Sequence, residues 1–346
     1  MRSLQRGIAN KGRIRGQSNC RSRNWRAEVL KLETISVGDP GAGEIRIRQT
    51  AIGVNYIDVY HRTGLYNTKA GVSPITSDSF IPGLEGVGRI DAIGPGVKDL
   101  KVGDRVCYGN GPLGGYAEER LIPAANVVRV PANLKDEQVA GMMLRGMTAW
   151  FLIRELRKLE PVDTILLHAA AGGVGLIVCQ WAKHIGATII GTVGSEEKAD
   201  IAKTAGCTHT ILYNDEDWVA KVQDLTGGHG VPVVYDGVGK STFMQSLDCL
   251  APRGLMVAFG NASGVAPAIE PNLLAAKGSI FLTRPRLAEY VGKRDDYVRA
   301  TGELFDVVSK GIVKIDASNS YALEQAPHAH ADLEARRTTG STILVV

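Results

Sequence analysis

The chain has 346 residues, of which 44% are hydrophobic and 22% charged, with 41 glycines and a formal net charge of +4. This is the balance of a globular protein long enough for two domains; it excludes a largely disordered chain, and the lack of a Gly-X-Y period excludes a collagen-like fibre. Residues 1–26 carry eight Lys and Arg and no Asp or Glu, leaving 32 basic against 36 acidic groups in the rest, so the body is mildly acidic and no nucleic-acid surface over the whole molecule is implied.

In chain order, residues 1–26 form a basic extension without a clear hydrophobic period. Three readings stand for it: a disordered arm, an organellar transit peptide, or a start site placed too far upstream. No apolar signal-peptide core follows the charges. Residues 27–145 read as a turn-rich β domain. Ile45-Arg46-Ile47-Arg48 alternates as a half-buried strand does, and Pro82-Gly83, Gly94-Pro95-Gly96 and Gly103-Asp104 mark turns at short intervals.

From 146 to 283 the pattern changes to alternating β and α. Strand-like runs at 164–167, 188–193, 210–212, 231–235, 255–259 and 280–282 are separated by helical patterns at 173–184, 195–206, 215–225 and 241–250. Six such strands predict a doubly wound parallel sheet, so the fold class is α/β. Residues 284–346 hold two helical patterns, near 295–310 and 324–335, and a closing strand at 343–346, which predicts a return to the first domain. The uncharged stretch 165–182 reads as strand, turn and helix, so no membrane span is assigned. The five cysteines are scattered and form no C-x-x-C pair, which argues against a disulfide framework and fits a reducing, cytoplasmic location.

The strongest motif is His168-Ala169-Ala170-Ala171-Gly172-Gly173-Val174-Gly175. It fits A-x-G-x-x-G between a predicted strand and a predicted helix, with Ala170 in place of the first glycine of the dinucleotide fingerprint. Gly172 lets backbone approach a pyrophosphate, the helix N-terminus offers unpaired N–H groups, and Gly175 permits close packing. The next strand ends Gly191-Thr192-Val193-Gly194-Ser195 with no acid to bind a ribose 2′-hydroxyl. Ser195 and Lys198 suit a 2′-phosphate, which favours NADPH over NADH; the alternative is a helix cap and a surface charge. No H-E-x-x-H motif occurs, and within 40–120 Cys107 and His61 are the sole Cys and His candidates for zinc, so the chain is read as metal-free.

From about Glu28 to its end the chain resembles zinc-independent quinone oxidoreductases of the medium-chain dehydrogenase/reductase superfamily, the ζ-crystallin-like group. The resemblance rests on Ala51-Ile52-Gly53-Val54-Asn55-Tyr56-Ile57-Asp58, Pro82-Gly83-Leu84-Glu85-Gly86-Val87-Gly88, Val102-Gly103-Asp104-Arg105-Val106 and the glycine motif above. It extends to the run from Gly191 to Lys198, Leu247-Asp248-Cys249-Leu250, Phe259-Gly260-Asn261 and Leu282-Thr283-Arg284-Pro285. It implies a GroES-like catalytic domain, a Rossmann domain, a homodimer joined through the nucleotide domains, and NADPH-dependent reduction of quinones by hydride or one-electron transfer.

By position, it places Asn55 and Thr148 near the nicotinamide ribose and phosphates, and Gly172, Gly173 and Val174 at the pyrophosphate. Gly194, Ser195, Lys198 and Tyr213 fall at the 2′-phosphate end. Phe259, Gly260, Phe281, Thr283 and Arg336 fall at the nicotinamide end, and Tyr60, Tyr66 and Arg284 at the quinone. Read from the residues alone, Tyr60 and Tyr66 are equally half-buried aromatics with a wet hydroxyl, Arg284 equally a surface ion-pair partner, and Glu85 and His168 structural. Two departures stand out: the segment before Glu28 does not resemble the usual opening strand, and the loop at 70–80 is longer than usual. The rival functions are an enone or enoyl-thioester reductase, and a non-catalytic NADPH- or RNA-binding relative.

Overall fold

The computed structural model describes residues 10–17, 26–66, 79–214 and 217–346. Arg2, Arg6, Cys20, Arg21 and Arg23 of the basic extension lie outside the described residues, as does most of the loop at 70–80. The early strands are β1 (Asn10–Gln17), β2 (Lys31–Ser36) and β3 (Glu44–Val54), followed by helix α1 (Tyr56–Arg62). Then come β4 (Ser79–Phe80), β5 (Gly86–Ile93), β6 (Arg105–Tyr108), β7 (Glu119–Pro123), β8 (Val128–Arg129) and α2 (Asp136–Trp150). The alternating region holds β9 (Thr164–His168), α3 (Gly173–Ile185), β10 (Thr188–Val193), α4 (Glu196–Thr204), β11 (His209–Leu212), α5 (Trp218–Leu225) and β12 (Val231–Asp236). It continues with α6 (Phe243–Ser246), β13 (Leu250–Ala258), α7 (Pro271–Ala276) and β14 (Phe281–Thr283). The chain ends with α8 (Leu287–Val291), α9 (Arg294–Ser309), β15 (Asn319–Ala322), α10 (Ala326–Glu334) and β16 (Thr342–Val345).

Two compact units result: Met1–Leu144 with Ile315–Val346, and Arg145–Lys314. In the first, the alternation in β3 buries Ile45 and Ile47 while Arg46 points out to Asp91 at 2.8 Å. One edge of β3 carries β5 along its length; the other is shared by β7 near its start and β16 near its end. Ile45, Ile47, Ile90, Val106, Tyr108, Ile122 and Val127 fill the core so enclosed, each isoleucine contributing about 1.5–3 kcal/mol by burial. A second core joins Ile52, Val54 and Tyr116 to Leu323, Ala326, Ala329 and Leu344, which brings the C-terminal segment back to the first unit.

The second unit is a six-stranded sheet of order β11-β10-β9-β12-β13-β14, parallel throughout. The order reverses between β9 and β12, the switch point at which such sheets bind ligands. Helix α3 starts at Gly172 and stops at Gly186, left-handed at φ 102°, as predicted for its C-cap.

The structure corrects the sequence reading in three places. Residues 10–17 are not a structureless arm: β1 pairs antiparallel with β2 from Asn10↔Ser36 to Arg15↔Lys31, and its end pairs with β4. Strands β2, β1 and β4 form a three-stranded sheet of their own. The return to the first unit begins at Ile315 rather than at 284. Helices α8 and α9 stay with the second unit, where Phe151 stacks on Tyr290 with ring centroids 4.6 Å apart. The helix expected at 241–250 is one short α-helix followed by a 3-10 turn at Leu247–Cys249.

Candidate active site

In a parallel sheet every strand ends on the same side, so the loops after β9 to β14 gather along one edge of the second unit. After β9, Ala169 is left-handed (φ 54°) and Gly172 caps α3 without a side chain. The first turn of this 13-residue helix holds no acid. Its N–H groups, at Gly173, Val174 and Gly175, are thus turned to the switch point under a favourable dipole. The glycines leave no slack: a Cβ on Gly175 would lie 2.4 Å from the Ala169 carbonyl oxygen and 2.6 Å from that of Ala170. This cradle fits the diphosphate of a dinucleotide.

After β10, Ser195 caps α4, its Oγ accepting from the Lys198 N–H at 3.3 Å. Tyr213, after β11, brings its hydroxyl to 3.1 Å from where a Gly194 Cβ would stand. Gly194, Ser195, Lys198 and Tyr213 therefore form one neighbourhood with a half-buried cation and hydroxyl groups. After β13, the Phe259 N–H donates to the Asp236 carbonyl at 2.8 Å, and the space for a Gly260 Cβ is taken by the Gly237 carbonyl at 2.3 Å. Arg284 donates through Nη1 to the Phe259 carbonyl at 3.0 Å. Thr283 ends β14 beside it, while Phe281 is 61% exposed on that edge strand. Thr148 is half-buried on α2.

Asp236 was missed by sequence reasoning. Fully buried at the end of β12, it accepts from the N–H groups of Val238 and Gly239 at 2.7 and 3.0 Å and from the Thr242 hydroxyl at 2.8 Å. It shapes the loop at the switch point; the signal was an acid closing an apolar strand before Gly237-Val238-Gly239.

The first unit holds the remaining candidates. Tyr60 and Tyr66 lie together, ring centroids 4.9 Å apart, with Tyr56 at 5.5 Å from Tyr60 and His61 edge-on to Tyr66 at 6.2 Å. Burial, with Glu334 nearby, raises the Tyr56 phenol, while Arg336 and Arg62 oppose it. Arg336 is left-handed (φ 58°), just past α10. Burial lowers His61 to about 4, so its ring is neutral. Asn55 caps α1 and is almost fully buried; its Nδ2 donates to Glu85 Oε1 at 2.5 Å, and Glu85 Oε2 accepts from the Leu144 N–H at 2.6 Å. Glu85 thus holds Asn55 in place.

Cys107 is buried with its Sγ 3.5 Å from the Met143 sulfur, its thiol pushed up by burial. Among the described residues no group of three or more His, Cys, Asp or Glu is placed to hold a metal ion. His168 is buried between Thr192 Oγ1 at 2.8 Å and Ser246 Oγ at 2.9 Å, so it ties the sheet to α6.

Comparison with known proteins accords with this layout. Residues 41–132 match the family described as alcohol dehydrogenase GroES-like domain, and residues 173–292 the family described as zinc-binding dehydrogenase. A quinone oxidoreductase of Pseudomonas aeruginosa is 45% identical over 318 residues, 92% of this chain and 96% of its own length. A 2-haloacrylate reductase of a Burkholderia species is also 45% identical, over 90% of this chain and 94% of its own. The crystal structure of Escherichia coli quinone oxidoreductase complexed with NADPH superposes with a TM-score of 0.91 at 41% identity, covering 97% of this chain and all of that one. With a GroES-like unit, a Rossmann unit and near-full-length likeness, the chain belongs to the quinone oxidoreductase family of the medium-chain dehydrogenase/reductase superfamily.

Proposed function

We infer that the protein is an NADPH-dependent quinone reductase. The observation that carries the reading is the uncapped, acid-free N-terminus of α3 at the switch point of the parallel sheet. NADPH, when bound, supplies the hydride. Gly172, Gly173 and Val174 present backbone N–H groups to its pyrophosphate. Ser195 and Tyr213 offer hydroxyl groups to the 2′-phosphate, and Lys198 balances its charge. By the family resemblance, Phe259, Gly260, Phe281, Thr283, Thr148, Asn55 and Arg336 are the residues proposed for the nicotinamide end. One amide hydrogen of Asn55 is spent on Glu85, which leaves the second to donate to the ribose. Tyr60 is buried and backs Tyr66, whose half-buried ring offers the aromatic face on which a flat ring can lie. Their hydroxyls, with the guanidinium of Arg284, are donors to the oxygen that gains charge.

A second copy of the chain docks on β14, the last strand in the sheet order, where Phe281 and Leu282 are exposed. A cytoplasmic location fits the four described cysteines, all buried and free. Among the described residues no helix is long and apolar enough to cross a membrane.

A second reading, reduction of an activated C=C bond, is favoured by the likeness to the 2-haloacrylate reductase. Oxidation of NADPH and of NADH followed separately with 1,4-benzoquinone, 9,10-phenanthrenequinone and 2-chloroacrylate tests both. Turnover of a quinone with NADPH and little with NADH is expected. Turnover of 2-chloroacrylate alone would replace the first reading by the second, and turnover of none would overturn both.

A further inference from the structure

A buried polar chain runs through the first unit to Asn55. It starts on α10, where Glu334 Oε1 accepts from Arg62 Nη2 at 2.6 Å. Arg62 Nη1 lies 3.2 Å from His330 Nδ1. His330 Nε2 lies 2.9 Å from the Tyr116 hydroxyl, which in turn donates to Asp58 Oδ2 at 3.0 Å. The same carboxylate oxygen accepts the backbone N–H of Asn55 at 2.8 Å, and the Asp58 N–H returns to the Asn55 carbonyl at 3.0 Å. Asp58, Tyr116 and His330 are fully buried and Arg62 nearly so.

The chain has one direction. A guanidinium carries donors only, so His330 Nδ1 must accept. Burial and Arg62 hold this ring at about 3, well below its ordinary value, so it is neutral and its one hydrogen sits on Nε2. Nε2–H then donates to Tyr116, and the Tyr116 hydrogen is left for Asp58. Motif residues serve the same chain. Tyr116 is seated by its own N–H to the Pro82 carbonyl at 2.9 Å, and Gly53 leaves the space of a Cβ, 1.9 Å from Glu85 Oε1, for the carboxylate that holds the Asn55 amide.

We propose that Tyr116 and His330 are positioning residues, which act through Asp58 on the cap of α1 and so aim the Asn55 carboxamide at the nicotinamide ribose of NADPH. The proposal rests on the role given to Asn55 above. A network that merely stabilised the unit would affect melting whatever stood at 55; a positioning network loses its effect on the cofactor once Asn55 is gone.

The test is a double-mutant cycle of Tyr116→Phe and Asn55→Ala, read as the dissociation constant of NADPH from fluorescence titration and the melting temperature of the free protein. Tyr116→Phe is expected to weaken NADPH binding about fivefold to tenfold in the native background and less than about twofold beside Asn55→Ala. An equal loss in both backgrounds, or none in the native one, overturns the proposal and leaves the role of Asn55 standing. Unchanged binding by Asn55→Ala alone overturns that role and the proposal with it. Should Tyr116→Phe fail to fold, His330→Gln, which keeps an acceptor and a donor, is expected to bind NADPH within about twofold of the native protein, and His330→Leu to lose about fivefold or more. Equal losses for the two overturn the proposal.

Discussion

Two of the three glycines at the start of α3, Gly172 and Gly175, separate folding from cofactor binding, and alanine at each tests this. A Cβ on Gly175 meets the carbonyl oxygens of Ala169 at 2.4 Å and Ala170 at 2.6 Å. Both are backbone atoms and cannot swing aside. Ala169 is already left-handed, and the Ala170 N–H is tied to the Thr192 carbonyl at 3.1 Å, so the turn can recede only by loosening its bond to β10. Overpacking of this kind costs about 1–3 kcal/mol and the strained hydrogen bond about 1 kcal/mol more. For a unit of this size the loss lowers the melting temperature by roughly 5–15 °C. At Gly172 the same Cβ meets the Ala169 oxygen at 3.1 Å and the Ala169 Cβ at 4.0 Å, and φ is −80°. Its folding cost is that of alanine for glycine at a cap, about 1 kcal/mol or less. Its proposed role puts its Cα against the pyrophosphate, so NADPH affinity should fall about tenfold or more. Thermal melts of the free variants and NADPH titration of each read the two effects apart. Equal melting losses, or Gly172→Ala binding NADPH as the native protein does, would refute the reasoning.

Three further outcomes are expected. Lys198→Glu should weaken NADPH by about 10–100-fold and leave NADH within about threefold, measured as kcat/KM for each; a parallel loss on both means that Lys198 does not meet the 2′-phosphate. His61 and His330 sit at about 4 and about 3 in the fold against an ordinary 6.5, so on acidification the unfolded chain takes up protons first. Their contribution is fully present above about pH 6.5 and is lost towards pH 4, by about 1.4 kcal/mol per unit for each histidine; coincident urea melts at pH 7 and pH 5 would contradict this. Phe281→Glu should convert a dimer into monomers in sedimentation, and an unchanged sedimentation coefficient would remove β14 from the interface.

The second unit was legible because its signals are local. The run at 188–193 is a strand to the residue, and the glycines of one short motif announce both the turn and its ligand. The first unit was less so. In Asn10–Gln17 the period-two placing of Lys11, Arg13 and Arg15 was hidden by glycines where strand-forming residues are usual. Helices α8 and α9 carry nothing in their own sequence to say which unit they pack on; the stacking of Tyr290 on Phe151 decides it. The polar chain to Asn55 lay out of reach for the same reason, since Tyr116 and His330 are 214 residues apart and Arg62 and His330 268. Glu85 reads as structural from the sequence; the geometry gives it a partner, Asn55, that spacing alone does not pair with it.

Relatives named for different substrates stand at the same distance from this chain: a quinone oxidoreductase and a 2-haloacrylate reductase are each 45% identical to it. The cofactor cradle works through backbone, so it does not tell these substrates apart. A haloacrylate needs a cation for its carboxylate; a quinone needs a flat apolar surface and neutral donors. In the first unit Arg62 is buried and engaged by Glu334 and His330, so it offers no such cation. Arg284, in the second, keeps its charge while Nη1 donates to the carbonyls of Phe259 and Pro285 at 3.0 and 3.1 Å, so it suits a carboxylate and a quinone oxygen alike. What the first unit does present is three tyrosine rings, Tyr56, Tyr60 and Tyr66, each tilted by 51–56° to the next. The half-buried rings of Tyr56 and Tyr66, set against buried Tyr60, suit a planar, uncharged substrate, and with the likeness to quinone oxidoreductases they are the ground for placing the quinone first.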